Sequence, residues 1–465
     1  MWILDRLAPG SPTHNTARAY RLRGPVDVAA LGRALEAVVR RHATLRTVVV
    51  DERGVLSQLA LEAFEMPLDV VNMVGAPEQA IAASLRERAR EPFDLTRDLM
   101  IRATLIWVAD DEHHLLLCLH HIAGDAHSDA ILLGDLGRLY EAELTGASIQ
   151  LPPQALQYAD YAAWHRERLA GPLLAELIAY WTQALEGAPF THRLPLDTPR
   201  PQVQRHVGAR HDFTLPSDIA VAVSRVSQAR GTTPFVVLFA VFATLVYRLG
   251  GGEDLVIGSP VAGRTHAGLE DIVGFFSNTV ALRIGLSGAT TFDDVVTRAR
   301  ETVLGAIAHQ ELPFEKVVSA LRVPRTTASN PLFQLNFRAR SSPPPRLELA
   351  GLTVEAEVVD IGFSRFDLSL ELQLHGEQLS GYFEYDQDLF EPATIAFFVD
   401  ALGSLLEQVV DDPNAEILAL ELPVRRRARG APGSAMRARR RRPMTLDQEP
   451  ADGPSGSGDQ PESAT

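Results

Sequence analysis

Hydrophobic positions in the first half of the chain follow two alternating periods. Residues 27–42 carry apolar side chains at helical spacing with arginines on the opposite side, which predicts an amphipathic helix. Residues 100–108 are predicted to form a strand, and the continuous apolar run at 114–119 predicts a buried one. The remaining predicted elements of this half are a strand at 45–50 and helices at 77–89, 128–144 and 153–185.

A second series of elements follows a stretch without any period. Residues 188–207 are rich in proline, arginine and glutamine, and we interpret them as a linker. The pattern therefore predicts an α/β (α+β) fold with two lobes, 1–187 and 208–424. The predicted elements of the second lobe are helices at 217–229, 235–249, 292–301 and 392–410, and strands at 255–257, 278–284, 332–338, 366–374 and 379–385.

Composition narrows the classes of function. The formal net charge of −15 disfavours nucleic acid as the main partner, because phosphate binding needs a basic face. Cys118 is the only cysteine, which excludes an intrachain disulfide and predicts a reducing, cytoplasmic location. Lys316 is the only lysine and does not lie in a Gly-Lys-Ser/Thr sequence, which excludes a phosphate-binding P-loop.

The apolar segments predict no membrane span and no signal peptide. The longest mainly apolar run, 235–247, has 13 residues and is shorter than the ~20 that span a bilayer. Thr233 as N-cap, with Pro234 at the first helical position, predicts a buried helix instead. We expect no membrane partner.

The tail, 425–465, differs from the rest of the chain. It begins with nine arginines in 425–442 and continues with glycine, proline, serine and acidic residues. This composition predicts a disordered tail, although an arginine-rich run also suits an anionic surface. So abrupt a change is also what a non-native end would produce.

The segment His-His-Ile-Ala-Gly-Asp-Ala at 120–126 carries the most chemical information. An apolar strand ends in His120 and His121, and Gly124 with Asp125 then break it. Neighbouring side chains of a strand point to opposite faces, so one imidazole faces the packing and the other can face a cavity. An imidazole there can relay a proton, but a structural pair or a weak metal site fits the same residues. The similar pair at the strand's start, His113 and His114, is expected to be exposed.

This segment resembles the His-His-x-x-x-Asp-Gly signature of the condensation domains of nonribosomal peptide synthetases, relatives of chloramphenicol acetyltransferase. Further segments resemble other motifs of that family, in the family's order and over residues 1 to about 424. These segments are MWILDRL with PGS (1–11), RHATLRT (41–47), YADYAAW (158–164), VGFFSNT (273–279, continuing to Arg283), HQELPFE (309–315) and SNPL (329–332).

The resemblance implies two chloramphenicol-acetyltransferase-like lobes in a V-shaped pseudo-dimer with a central tunnel. Because such lobes already make an internal pseudo-dimer, we expect the protein to be a monomer. Donor and acceptor carrier proteins would present aminoacyl or acyl thioesters on 4′-phosphopantetheine arms, and the chain itself would bind no cofactor or metal. An acceptor amine would then attack the donor thioester to form an amide.

The resemblance also implies roles for individual residues. His121 would take the proton of the amine or orient it, and His120 would be mainly structural. Asp125 would pair with Arg283 and brace the loop that contains Gly124. The residues expected on the substrate side of the tunnel are Ser277, Asn278 and Asn330, although Asn330 precedes a proline and equally suits a turn.

Two departures from the family pattern bear on activity. Ala126 occupies the position of the motif's glycine, where a methyl group is expected to strain a turn of positive φ or to crowd the pantetheine. The chain also begins inside the first motif, without the usual upstream residues, as a mis-assigned start or an excised fragment would. These departures leave open an inactive recruitment module. An acyltransferase or ester synthase with a hydroxyl or soluble amine acceptor also remains an alternative, because the same base serves either nucleophile.

Overall fold

The computed structural model describes residues 1–7, 10–148, 151–324 and 326–424. Its strands are β1 (Asn15–Arg23), β2 (Thr47–Glu52), β3 (Val55–Ala60), β4 (Leu68–Asn72), β5 (Ile101–Ala109), β6 (Glu112–His120), β7 (Gly208–Leu215), β8 (Asp254–Val261), β9 (Asn278–Gly285), β10 (Leu335–Arg340), β11 (Thr353–Glu357), β12 (Leu368–His375) and β13 (Gln378–Asp386). Its helices are α1 (Trp2–Leu7), α2 (Val28–Arg41), α3 (Glu78–Ala89), α4 (Ala126–Thr145), α5 (Tyr158–Arg168), α6 (Pro172–Ala184), α7 (Ser217–Ala229), α8 (Pro234–Arg248), α9 (Phe292–Ala308), α10 (Phe314–Ala320) and α11 (Pro392–Asp411), with short 3₁₀ helices at Pro12–His14 and Ala43–Arg46.

Two open sheets organise these elements. The first sheet has five strands in the order β11-β1-β6-β5-β4, and the second has six in the order β7-β13-β12-β10-β8-β9. Strands β2 and β3 form a separate hairpin. The mixed α/β class predicted from the sequence is confirmed.

Strand β11 joins the first sheet from the second half of the chain. It pairs antiparallel with β1, where Ala19 lies opposite Glu357. Residues 353–357, which lie within the predicted second lobe, therefore pair with the first sheet. The alternation of Val354 and Ala356 with polar residues extends over five residues only and is not among the strands predicted above. The division into two lobes with the predicted limits otherwise stays a prediction.

The core of the second sheet is built on helix α8. Its side chains from Val236 to Val246 are buried, and the helix packs against α7, α9 and α11. Thr233 caps it by accepting a hydrogen bond from the Val236 amide, with Pro234 at the first position. The predicted buried helix is confirmed.

Helix α11 is long and apolar enough to cross a membrane by length and composition, as a core helix can also be. Half of its most apolar stretch is buried inside the structure. Phe398, Leu402 and Leu406 belong to the same core as α8. Helices α7 and α8, which meet at a bend of 107°, would together also be long and apolar enough to cross a membrane.

Most of the predicted elements occur within a few residues of their expected ends. The predicted helix 153–185 is instead two helices, α5 and α6, because Gly171 adopts a φ of 72° between them. The sequence pattern does not predict strands β1, β3, β4, β7 and β11 or the short helices α1 and α10. The arginine-rich tail, 425–465, lies outside the described residues.

Candidate active site

The histidine pair lies at the end of β6, a central strand between β1 and β5. Residues 121–125 form a tight loop, and α4 begins directly after it. Asp125 is the N-cap of α4, since its Oδ1 accepts hydrogen bonds from the Ser128 amide and hydroxyl, both at 2.9 Å. A strand end and a capped helix therefore hold the loop from both sides.

The backbone and the imidazole of His121 are each held by a hydrogen bond. Its amide donates to the His14 carbonyl at 2.8 Å, and its Nδ1 donates to the Gly124 carbonyl at 2.7 Å. The ring packs edge-to-face on Phe275, with centroids 4.9 Å apart. Because a carbonyl only accepts, Nδ1 carries the proton and Nε2 carries the lone pair. In the described part of the chain, Nε2 has no hydrogen-bond partner.

Burial first, and then the positive charge of Arg365, lower the pKa of His121 to about 4. The hydrogen bond to Gly124 and the charge of Asp125 act in the opposite direction. The imidazole is therefore neutral at pH 7. A neutral imidazole with an open Nε2 can accept a proton.

His120 points away from this position. It is 3% exposed, its Nδ1 accepts a hydrogen bond from the Ile122 amide at 3.2 Å, and its ring lies between those of Phe93 and His14. Burial lowers its pKa to about 4. These contacts suit a structural role.

His113 and His114 are buried, and the expectation that they are exposed is wrong. Their exposed fractions are 4% and 6%. His113 stacks on Trp107, and the Nδ1 of His114 lies 2.7 Å from a carboxylate oxygen of Glu357. The reason is the position of β6 in the middle of the sheet, close to the unpredicted strand β11.

Gly124 is required by a close approach rather than by its φ. A Cβ at this position would lie 2.7 Å from Cδ2 of Leu119. A side chain here would have to displace the buried Leu119 side chain or shift the loop, and with it the carbonyl that holds His121.

Asp125 ties the loop to the second half of the chain. Its Oδ2 accepts hydrogen bonds from the amides of Phe276 (3.1 Å) and Ser277 (3.2 Å) and from the Ser277 hydroxyl (3.4 Å). Nη2 of Arg264 lies 3.4 Å from its Oδ1, and both side chains are buried. Asp125 is therefore a structural brace, and Arg264 is its charged partner.

The predicted partner of Asp125, Arg283, lies elsewhere. Its guanidinium forms two hydrogen bonds with Asp254, at 3.0 and 2.8 Å, and others with backbone carbonyls of Ala184 and Glu186. The predicted pair is wrong because β9 runs between the two positions: the six residues of chain from Ser277 to Arg283 span about 20 Å in a strand.

No sequence pattern indicates Arg264, because a single arginine in a loop between two strands gives no periodic signal. Its guanidinium lies over the Phe276 ring at 3.9 Å and donates to the carbonyls of Leu269 and Ile272. Burial lowers its pKa, while the charge of Asp125 opposes that effect.

Ala126 is the first residue of α4 and is exposed. It is absent from the residues of positive φ, so the expected backbone strain does not occur. The first position of a helix has an ordinary helical φ, which alanine adopts readily. Crowding of a pantetheine by its methyl group stays a prediction.

The three residues expected on the substrate side are engaged by protein atoms. Ser277 binds Asp125, and Asn278 donates to the carbonyls of Gln310 (2.8 Å) and Leu312 (2.7 Å) while accepting from the Phe314 amide at 3.1 Å. Asn330 donates to the Arg365 carbonyl. Each therefore braces a loop, and contact with a substrate stays a prediction.

A cavity of about 250 Å³ adjoins the segment of Ser277 and Asn278. Aromatic side chains of α5, including Tyr158 and Trp164, line it, and the Tyr158 hydroxyl donates to the Phe275 carbonyl at 2.7 Å. The aromatic cluster thus supports residues 275–277, which contact both the His121 ring and the Asp125 carboxylate.

A neutral imidazole at the end of a central strand, braced by a buried aspartate on a mixed α/β scaffold, is an arrangement suited to acyl transfer. The family model described as "Condensation domain" matches residues 1–429. The chain belongs to the condensation-domain family of nonribosomal peptide synthetases, whose fold is that of chloramphenicol acetyltransferase. The family is in general one of peptide-bond-forming transferases that work with carrier-protein phosphopantetheine and need no cofactor of their own.

Individual relatives agree with this assignment. Phosphinothricin tripeptide synthetase PhsC of Streptomyces viridochromogenes is 38% identical over 431 residues, which are 91% of this chain and 40% of that protein. One of the linear gramicidin synthase proteins of Brevibacillus parabrevis is 41% identical over 428 residues, 91% of this chain and 6% of that protein. The chain therefore spans less than half of the length of either relative.

The solved X-domain from teicoplanin biosynthesis has the same fold. It superposes with a TM-score of 0.84 at 30% identity, covering 91% of this chain and 95% of the X-domain. The X-domain has also been solved in complex with OxyB.

Proposed function

We propose that this chain catalyses amide-bond formation between two carrier-bound substrates in nonribosomal peptide synthesis. The amine of the acceptor attacks the carbonyl of a donor thioester held on a 4′-phosphopantetheine arm. The observation that carries the proposal is the hydrogen bond from Nδ1 of His121 to the Gly124 carbonyl, because it leaves Nε2 as the open acceptor of a neutral imidazole.

In the proposed reaction, His121 moves one proton. A C–N bond forms as the amine attacks, and Nε2 takes the proton that the nitrogen loses. The C–S bond then breaks, and the same proton passes to the departing thiolate, which leaves as the pantetheine thiol. A positioned base of this kind contributes about 10²–10⁴ in rate.

The neighbouring residues keep His121 in place. Gly124 sets the tautomer, and Asp125 fixes the loop to the amides of Phe276 and Ser277. Phe275 packs against the ring of His121 and limits its rotation. Asp125 supports the His121 loop and takes no part in the proton transfer that we propose.

The proposal extends to partners and location. We propose donor and acceptor carrier proteins as partners, a monomeric enzyme, and a cytoplasmic location without nucleic-acid or membrane partners. The net charge of −15 and the burial of the apolar helix α11 in the core support this view.

The test uses the purified chain, a donor loaded on a holo carrier protein, and a panel of carrier-bound amines, free amines and alcohols. Product is followed by mass spectrometry for the wild type, His121→Ala and His127→Ala. His127 is a matched control, since it lies exposed on α4 and its Nε2 donates to the Glu270 carbonyl at 2.8 Å. We expect product that is lost with His121→Ala and retained with His127→Ala.

The panel also separates the alternatives. Product from alcohols or free amines alone would assign an ester synthase or a soluble-acceptor transferase. The similarity to the X-domain, solved with OxyB, favours recruitment of another protein as the second candidate. Carrier binding without turnover for any acceptor would overturn the proposed catalysis and support recruitment.

A further inference from the structure

Arg365 is connected to His121 through the 3₁₀ turn Pro12–His14. Nε and Nη2 of Arg365 donate to the Thr13 carbonyl, at 3.2 and 2.9 Å. The next carbonyl, that of His14, accepts the His121 amide at 2.8 Å. Two consecutive carbonyls of one turn thus bind the arginine on one side and the candidate base on the other.

The arginine is itself held by the segment before β10. Nδ2 of Asn330 donates to the Arg365 carbonyl, and Nε2 of Gln334 donates to the Asn330 carbonyl at 2.8 Å. Gln334 is 1% exposed and also donates to the Phe190 carbonyl at 2.9 Å. A chain of hydrogen bonds therefore fixes Arg365 from the second sheet and extends to the loop of the first.

The charge of Arg365 also acts on the imidazole. After burial, it is the strongest influence that lowers the pKa of His121. Burial and the nearby charge of Arg338 lower the pKa of Arg365 itself to about 10, so the guanidinium stays charged at pH 7. The other titratable or charged groups that act on His121 are His14, His120, Asp125 and Arg338.

We propose that Arg365 is a positioning residue for His121: it clamps the turn that holds the His121 backbone and brings a positive charge to the site. The catalytic part of this inference rests on the proposed function. It assigns a role to a residue outside the histidine segment, and it gives Asn330 the role of holding Arg365.

Three substitutions separate the clamp from the charge. Arg365→Lys keeps the charge and one donor, Arg365→Gln keeps a donor without the charge, and Arg365→Ala removes both. Arg298→Gln is the matched control, because Arg298 also donates to two backbone carbonyls, at 2.7 and 2.8 Å, but on the exposed surface.

We expect a distinct result for each variant. Arg365→Ala should lose about 10²-fold in turnover, the loss that a misplacement of about 1 Å produces. Arg365→Gln should keep most of the activity at pH 8, but the acid limb of its pH–rate profile should move upward by about one pH unit, because a positive charge has been removed. Arg365→Lys should restore the wild-type acid limb, and Arg298→Gln should leave both quantities unchanged.

A direct titration of His121 tests the inference without a measurement of turnover. The His121 Cε1–H resonance is assigned by its loss in His121→Ala and followed against pH by NMR in the wild type and in Arg365→Gln. A higher pKa in Arg365→Gln supports the proposal even if no acceptor gives product, in which case only the proposed catalysis fails. An unchanged pKa overturns the role of the charge, and wild-type turnover by a folded Arg365→Ala overturns the clamp.

Discussion

Asp125 and Arg264 form a buried ion pair across the candidate site, with Oδ1 and Nη2 3.4 Å apart and side chains 1% and 4% exposed. The aspartate caps helix α4 of the first half, and the arginine precedes the segment of Phe276 in the second half. The pair thus joins two distant parts of the sequence directly behind the His121 loop.

Substitution of Arg264 and of Arg283 should distinguish the observed pair Asp125–Arg264 from the pair Asp125–Arg283 that the family motif suggests. Arg264→Gln leaves a buried carboxylate without its charged partner, so we expect the free energy of unfolding to fall by about 3 kcal/mol and turnover to fall with it. Arg283→Gln removes a half-exposed contact with Asp254 and should cost about 1 kcal/mol or less. Urea unfolding of both variants checks this, and a larger loss for Arg283→Gln would contradict the structure.

A methyl group at Gly124 should impair turnover more than folding. Gly124→Ala places its Cβ against Leu119, shifts the carbonyl that holds Nδ1 of His121, and should reduce turnover by about 10–100-fold. Adding Leu119→Val removes the δ carbons, so the double variant should recover part of the rate in the same assay.

The control for this experiment is Gly134→Ala on α4. A Cβ there meets nothing within 4 Å, so the substitution should leave turnover unchanged and stabilise the helix by about 0.5–1 kcal/mol. Equal turnover in Gly124→Ala and Gly134→Ala would show that the position of the Gly124 carbonyl does not matter.

Substitution of Ala126 by the motif glycine should not raise turnover, because the backbone at this position is not strained. Ala126 already has a helical φ on the exposed surface, so Ala126→Gly should lower the free energy of unfolding by about 0.5–1 kcal/mol and leave turnover within about twofold. Ala130→Gly, on the next turn of α4, should show the same loss of stability. An increase in rate of Ala126→Gly alone would indicate crowding by the methyl group.

Stability should depend on pH through the buried histidines. The pKa values of His120 and His121 fall to about 4 and that of His14 to about 3, all below the ordinary value of 6.5. The unfolded chain therefore binds protons first as the pH falls from 6.5 toward 4. The stability that is present above pH 6.5 is lost over that interval, by up to about 1.4 kcal/mol per pH unit for each histidine.

Urea unfolding at several pH values between 5 and 7 tests this dependence above the range in which most carboxylates titrate. His120→Asn removes one titrating group, so its stability should vary less steeply with pH than that of the wild type. The same slope in both proteins would exclude a contribution from His120.

Local patterns in the sequence predict the parts of the site that are contiguous. The apolar run that ends at His120 predicts strand β6, and the turn residues Gly124 and Asp125 predict the break before the next helix. The cap on α4 follows from Asp125 because an aspartate before a helix accepts from its first amides.

Contacts between distant segments are not predictable in the same way. Arg264, His14 and Arg365 are single residues outside any periodic run. Arg264 and His14 contact the His121 loop, and Arg365 contacts the Thr13 carbonyl, across large separations in the sequence. The predicted pair of Asp125 with Arg283 is wrong for a related reason. A motif specifies the order of residues along the chain, but it does not specify where their side chains lie in the folded structure. The burial of His114 depends on β11, which is not among the predicted strands although Val354 and Ala356 alternate with polar residues.

The insertion of β11 has a consequence for recombination between synthetases. A chimera that exchanges residues 1–187 for those of a relative would place a foreign β1 beside the native β11, so that cross-strand pairs such as Tyr20 and Ala356 would combine residues of two parents. An exchange that also transfers residues 353–357 keeps the five-stranded sheet of one parent intact. The natural unit of exchange is therefore discontinuous in sequence, and crossover points on both sides of β11 should yield more soluble hybrids than a single crossover in the linker.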